Sequence, residues 1–121
     1  MKYLLCLFMF FSVLCNVASA TDVVVIAHSV STRMESRSVL SRNNLHEVSD
    51  YRSADGILVV CRSELYYPLR ESYKSIKELD DDADHQLNIS GSYMHVYLYS
   101  FDGQYGVREV DHIKYHAGDL W

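Results

Sequence analysis

The spacing of apolar and polar residues changes several times along the chain, and each change predicts an element. Residues 22–28 hold four β-branched residues in a row, Val23 to Ile26, which predicts a strand buried on both faces. Residues 29–44 contain six serines or threonines and three arginines, which weakens any helix. That segment reads as an exposed loop with at most one helical turn. Leu45, Val48 and Tyr51 recur every three residues, and both helix and short strand remain open there. Arg52 to Gly56 is a turn, signalled by Asp55-Gly56. A greasy run from Ile57 predicts a strand to Tyr67, ended by Pro68, the lone proline. Leu69, Tyr73, Ile76 and Leu79 then fall on one stripe and predict a helix over 69–79, with the acidic run Asp80 to Asp84 as a loop that ends it. Residues 93–101 alternate cleanly: Tyr93, His95, Tyr97 and Tyr99 share one face, and Met94, Val96 and Leu98 the other. Asp102-Gly103 marks a hairpin into a partner strand, Tyr105 to Val110, continued by Ile113 to His116. With no repeat and no linker, the pattern predicts an α+β fold: a single antiparallel β-sheet-rich, sandwich-like domain with one main helix near 69–79.

The first 20 residues differ from the rest. Lys2 precedes a continuous apolar stretch from Tyr3 to Val17, and Ala18-Ser19-Ala20 supplies the small residues a signal peptidase needs. This predicts a cleavable signal peptide over 1–20 and a globular domain over 21–121. The run is short for a membrane anchor and lacks a basic stop flank, and Leu14 is bulky for a lipoprotein site at Cys15. No later apolar run approaches the roughly 20 residues of a membrane span.

Export then reshapes the charge and cysteine arithmetic. The whole chain carries 11 basic and 16 acidic residues, a net of −5. Without Lys2, residues 21–121 hold 10 basic against 16 acidic, a net of −6. Such a balance argues against nucleic acid, whose binding needs a Lys/Arg surface. Cys6 and Cys15 leave with the signal, so only Cys61 remains and a disulfide framework within one chain is excluded. Its apolar surroundings favour a buried small hydrophobe over an intermolecular disulfide or a reactive thiol. Together these features favour the periplasm, although Asn88-Ile89-Ser90 is a formal glycosylation tripeptide.

Catalytic signatures are weak. His112 and His116 lie four apart, with Glu109, Asp111 and Asp119 nearby and His28 or His95 as a third candidate, but Ile113 occupies the place of a zincin glutamate. No metal or other cofactor is therefore expected. Glu64, Glu109 and Asp111 could supply a glycosidase pair, yet nothing selects two from 16 acids. Gly91-Ser92 lacks the second glycine of a hydrolase elbow. Tyrosine is the unusual residue: nine of the ten fall after residue 20, against one phenylalanine and one tryptophan there. Apolar rings with wet hydroxyls suit interfaces. The Tyr93, His95, Tyr97, Tyr99 row is thus a candidate partner-binding face, with cover by the helix as the alternative. Asp80, Asp81, Asp82 and Asp84 are a candidate steering patch for a basic partner.

A small, exported, acidic single domain with these features resembles the periplasmic immunity and inhibitor proteins directed at lysozyme-like effectors of type VI secretion. The resemblance implies a binding protein and not an enzyme, one that inserts a loop into the cleft of a peptidoglycan hydrolase, and a possible homodimer. On that reading the 29–44 loop, with Arg33 and Glu35, supplies polar groups for a cleft. Two other readings stand beside it: a small exported metal-assisted hydrolase using His112 and His116, and an envelope structural protein that oligomerises through its tyrosine face.

Overall fold

A computed structural model describes residues 21–65, 67–87, 91–104 and 106–116. The expected signal segment, the Asn88-Ile89-Ser90 tripeptide and residues 117–121 lie outside them. The β-branched run forms strand β1 (Thr21–Ile26), and the apolar run after Gly56 forms β3 (Gly56–Ser63). Both lie inside one six-stranded sheet ordered β2-β1-β3-β5-β6-β4, where β2 is Leu45–Glu47, β4 is Ser72–Tyr73, β5 is Tyr93–Asp102 and β6 is Gly106–His116. The domain is α+β. The pairs β3–β5, β5–β6 and β6–β4 are antiparallel, as expected. Strand β1 instead pairs in parallel with both β2 and β3, so the sheet is mixed.

That parallel pairing traces to a segment the sequence pattern misassigns. Residues 29–44 are not a loop: helix α1 (Val30–Arg42) carries the chain from β1 back to the start of β2, the crossover a parallel pair requires. Ser29 caps it, its side chain accepting from the Thr32 N–H while the Thr32 hydroxyl accepts from the Ser29 N–H. The face turned to the sheet is Thr32, Glu35, Ser36 and Val39, a helical spacing built from mostly polar side chains. Hydropathy alone therefore hides the stripe.

The second helix is also displaced. Helix α2 spans Ile76–Leu87, not 69–79, and the aspartates expected to end it lie within it. Ser75 caps α2 by accepting from the Glu78 N–H. Leu69 and Tyr73 are core residues as expected, yet they reach the core from the coil and β4 and not from a helix.

The alternation along β3 divides the core in two. Ile57, Val59 and Cys61 pack with Tyr97, Tyr99 and Val107 under Leu79 and Ala83 of α2. Leu58 and Val60 pack on the other face with Val23, Met94 and Val96 under Val39 of α1. The layers are helix, sheet, helix. Cys61 is a free, wholly buried thiol, and burial pushes its pKa up to about 12, which fits a small hydrophobe. Gly103 takes the left-handed conformation (φ 71°) that the β5–β6 hairpin turn needs. No helix among the described residues is long and apolar enough to cross a membrane.

Candidate functional site

Two side chains on one face of β5 hold the coil that follows β3. His95 Nε2 bonds the Leu65 carbonyl at 3.1 Å, and the Tyr99 hydroxyl donates to the Arg70 carbonyl at 2.6 Å. Between them the Tyr97 hydroxyl lies beside the Leu69 backbone and finds no partner of its own among the described residues. The Tyr73 hydroxyl accepts from the Arg70 N–H and donates to Asp82, and the Glu109 N–H donates to the Glu71 carbonyl. The coil is thereby laid along the sheet as a wall.

The opposite wall is β6, and a bulge shapes it. Leu98 faces Asp111 and Tyr99 faces Glu109, which leaves Val110 as the extra residue, 61% exposed. Between the two walls is a cleft of about 680 Å³ lined by Tyr67, Leu69, Arg70, Glu71, Glu109, Val110, Asp111 and His112. Tyr67 is 72% exposed, and its ring tilts against His112 with centroids 5.8 Å apart.

Two histidines lie beneath this rim. His95 is wholly buried, and its Nδ1 is 2.9 Å from His112 Nε2. The Leu65 carbonyl can only accept, so His95 Nε2 carries a proton. Nδ1 of a neutral His95 then accepts, and the shared proton belongs to His112 Nε2. By elimination His112 Nδ1 keeps its lone pair. Burial, the neighbouring His112 and Lys114 press the His95 pKa down to about 4, despite its bond to Leu65. Burial also lowers that of His112, which Asp111 partly offsets. Burial and the charges of Glu71 and Asp111 push the Glu109 carboxyl above the usual carboxylate range. Among the described residues no cluster of three His, Cys, Asp or Glu is placed to hold a metal ion.

The residues proposed from sequence as partner-binding are dispersed. The tyrosine row is indeed one face, but it is an inner one: His95, Tyr97 and Tyr99 are wholly buried beneath the coil and α2, and only Tyr93, half-buried, reaches the margin. Those three rings are closed to a partner, which removes both the docking role and the oligomerisation role expected of them. Tyr97 lies flat against His112 (centroids 4.0 Å, 4° between planes), so the row backs a residue of the cleft without lining it. The acidic run forms part of α2, and its members have neighbours: Asp80 bonds His28, Asp81 bonds Lys77, Asp82 accepts from Tyr73, and Asp84 lies 4.0 Å from His28. Arg33 pairs with Glu47 on β2, and Glu35 is turned inward with Oε2 unpartnered, so neither extends from a loop. The His116 side chain lies outside the described residues.

Tyr67, Glu71 and Val110 escaped the sequence reading, and Glu109, Asp111 and His112 entered it only as catalytic candidates. One signal was available. Val107, Val110 and Ile113 recur every three residues in a strand whose period should be two, and that break is the bulge. Comparison with known protein families, with curated proteins and with solved structures finds no match for this chain.

Proposed function

We propose that this chain is an exported binding protein, acting in the periplasm, that occludes a lysozyme-like, peptidoglycan-degrading enzyme. The observation that carries the reading is the rim of the cleft, where Tyr67 and Val110 stand exposed beside Glu71, Glu109 and Asp111. A large aromatic at the mouth of a hollow is the usual form of an interface anchor. Surrounding carboxylates favour a basic partner and speed its approach. Enzymes that act on anionic wall polymers present basic surfaces, and the net charge of this chain complements them.

Turbidity loss of a cell-wall suspension tests this. Residues 21–121 added in equimolar amount should suppress lysis by a muramidase, and Tyr67→Ala should relieve the suppression. Undiminished lysis across a panel of such enzymes would refute the reading. The lone pair on His112 favours a second reading, a small hydrolase with His112 as general base. Turnover of ester or glycoside substrates that disappears in His112→Gln would select it.

A further inference from the structure

We propose that the cleft between residues 67–71 and β6 is a receptor for a single guanidinium, an arginine side chain presented by the partner protein. This rests on the binding-protein reading above and names the group that is recognised. Three features of the cleft point to it.

First, its charges are uncompensated. Among the described residues the other acids repeatedly find cations: Glu47 pairs with Arg33, Asp81 with Lys77, Asp102 with Arg108, and Glu78 lies 3.8 Å from Arg70. Glu71, Glu109 and Asp111 form no ion pair within the described residues. Arg70 lines the same cleft, yet its guanidinium lies over the Tyr73 ring at 4.4 Å and leans to Glu78. Lys114 lies over the Tyr93 ring at 4.9 Å. Burial, and after it the charges of Glu71 and Asp111, raise the affinity of Glu109 for a proton, and an incoming cation would relieve the repulsion.

Second, His112 offers an acceptor. The lone pair of His112 Nδ1 follows from the proton order of the His95–His112 pair. Behind it the wholly buried Tyr97 ring stacks flat on the His112 ring and backs it where it lines the cleft. Third, the Tyr67 ring supplies an exposed π-face at the mouth. A site of carboxylates, a ring and a nitrogen lone pair matches a flat, five-donor cation better than a spherical ammonium, because the planar fork can serve two carboxylates while stacking on a ring.

The test is an NMR titration of residues 21–121 with acetyl-arginine amide, and with the lysine and citrulline counterparts as probes. The arginine probe should shift the signals of Val110, Asp111 and His112. The lysine probe should bind more weakly, and citrulline, isosteric but uncharged, should leave them unmoved. The double variant Glu71→Gln/Glu109→Gln should weaken arginine binding about tenfold or more. If that variant does not fold, the wild-type titration in ~0.5 M salt takes its place, with a several-fold loss expected for so exposed a site. Equal shifts from citrulline, shifts confined to other regions, or binding indifferent to both the variant and salt would each overturn the proposal. Arginine binding without muramidase inhibition would retire the proposed function and keep the receptor. Inhibition without cleft shifts would do the reverse.

Discussion

The two faces of the sheet solve the same packing problem with different chemistry. Under α1 the sheet's own side chains are aliphatic: Val23, Val25, Leu58, Val60, Met94 and Val96 meet Val39, beside the buried Thr32, Glu35 and Ser36. Under α2 and the coil aromatic and polar side chains join the aliphatic ones, with Tyr73, Tyr97, Tyr99 and His95 buried beside Ile57, Val59 and Leu79. An aliphatic face holds its cover by packed area, without directional bonds. The tyrosine and histidine face holds its cover at fixed points, Leu65, Arg70 and Asp82. Fixed points are what the proposed recognition cleft needs, and the cleft is found on that side.

Cavity-forming substitutions should break the two faces about equally. Leu58→Ala should cost about 2–5 kcal/mol and Tyr97→Ala about 3–5 kcal/mol, read from urea midpoints, because both side chains are wholly buried. A loss below about 1 kcal/mol at either would show that the face is not close-packed.

Acid should separate the faces. The neutral form of His95 is favoured in the fold, with its pKa near 4 against 6.5 for an unconstrained histidine. Between those values the unfolded chain takes up a proton that the folded chain refuses. Stability is therefore complete above about pH 6.5 and falls as the pH drops toward 4, by about 3 kcal/mol across the window. His112 adds in the same direction, and the raised Glu109 opposes weakly. His95→Gln, which keeps a donor for Leu65, should flatten the profile over that range. An equally steep profile in that variant would place the acid sensitivity elsewhere.

Single hydroxyls give the finest contrast. Tyr99→Phe should cost about 1–2 kcal/mol, because it strands the Arg70 carbonyl. Tyr97→Phe removes a buried hydroxyl that has no partner among the described residues, and should be neutral or slightly stabilising. Equal costs for the two would mean that the Tyr97 hydroxyl is satisfied.

The same contrast explains what the sequence made legible. Strands β1, β3 and β5 and the hairpin at Gly103 followed from local rules, because a period of two and an Asp-Gly pair act over a few residues. Helix α1 escaped because its inward stripe is Thr32, Glu35, Ser36 and Val39, which only tertiary burial reveals as a core face. The 69–79 helix was a coincidence of spacing: Leu69 and Tyr73 do enter the core, but from the coil and β4, packed against β5, which lies far along the chain, and against α2. The tyrosine row was legible as a face, and its partner was not, since the coil covering it is fixed by bonds spanning about 30 residues. Of the cleft, the acids and His112 were visible as residue types. Their convergence with Tyr67 depends on the bulge at Val110.

The central claim is that partners are met at the cleft on the tyrosine side and not on the helix α1 side. Exposed apolar residues stand on both: Tyr67 and Val110 at the cleft, Val30 and Met34 on α1. Amide chemical shifts of labelled residues 21–121, recorded while a basic muramidase is added, decide between them. The account predicts that Tyr67, Val110 and His112 move or broaden while Val30 and Met34 stay fixed. Perturbation centred on Val30 and Met34, with the cleft signals unmoved, would contradict it.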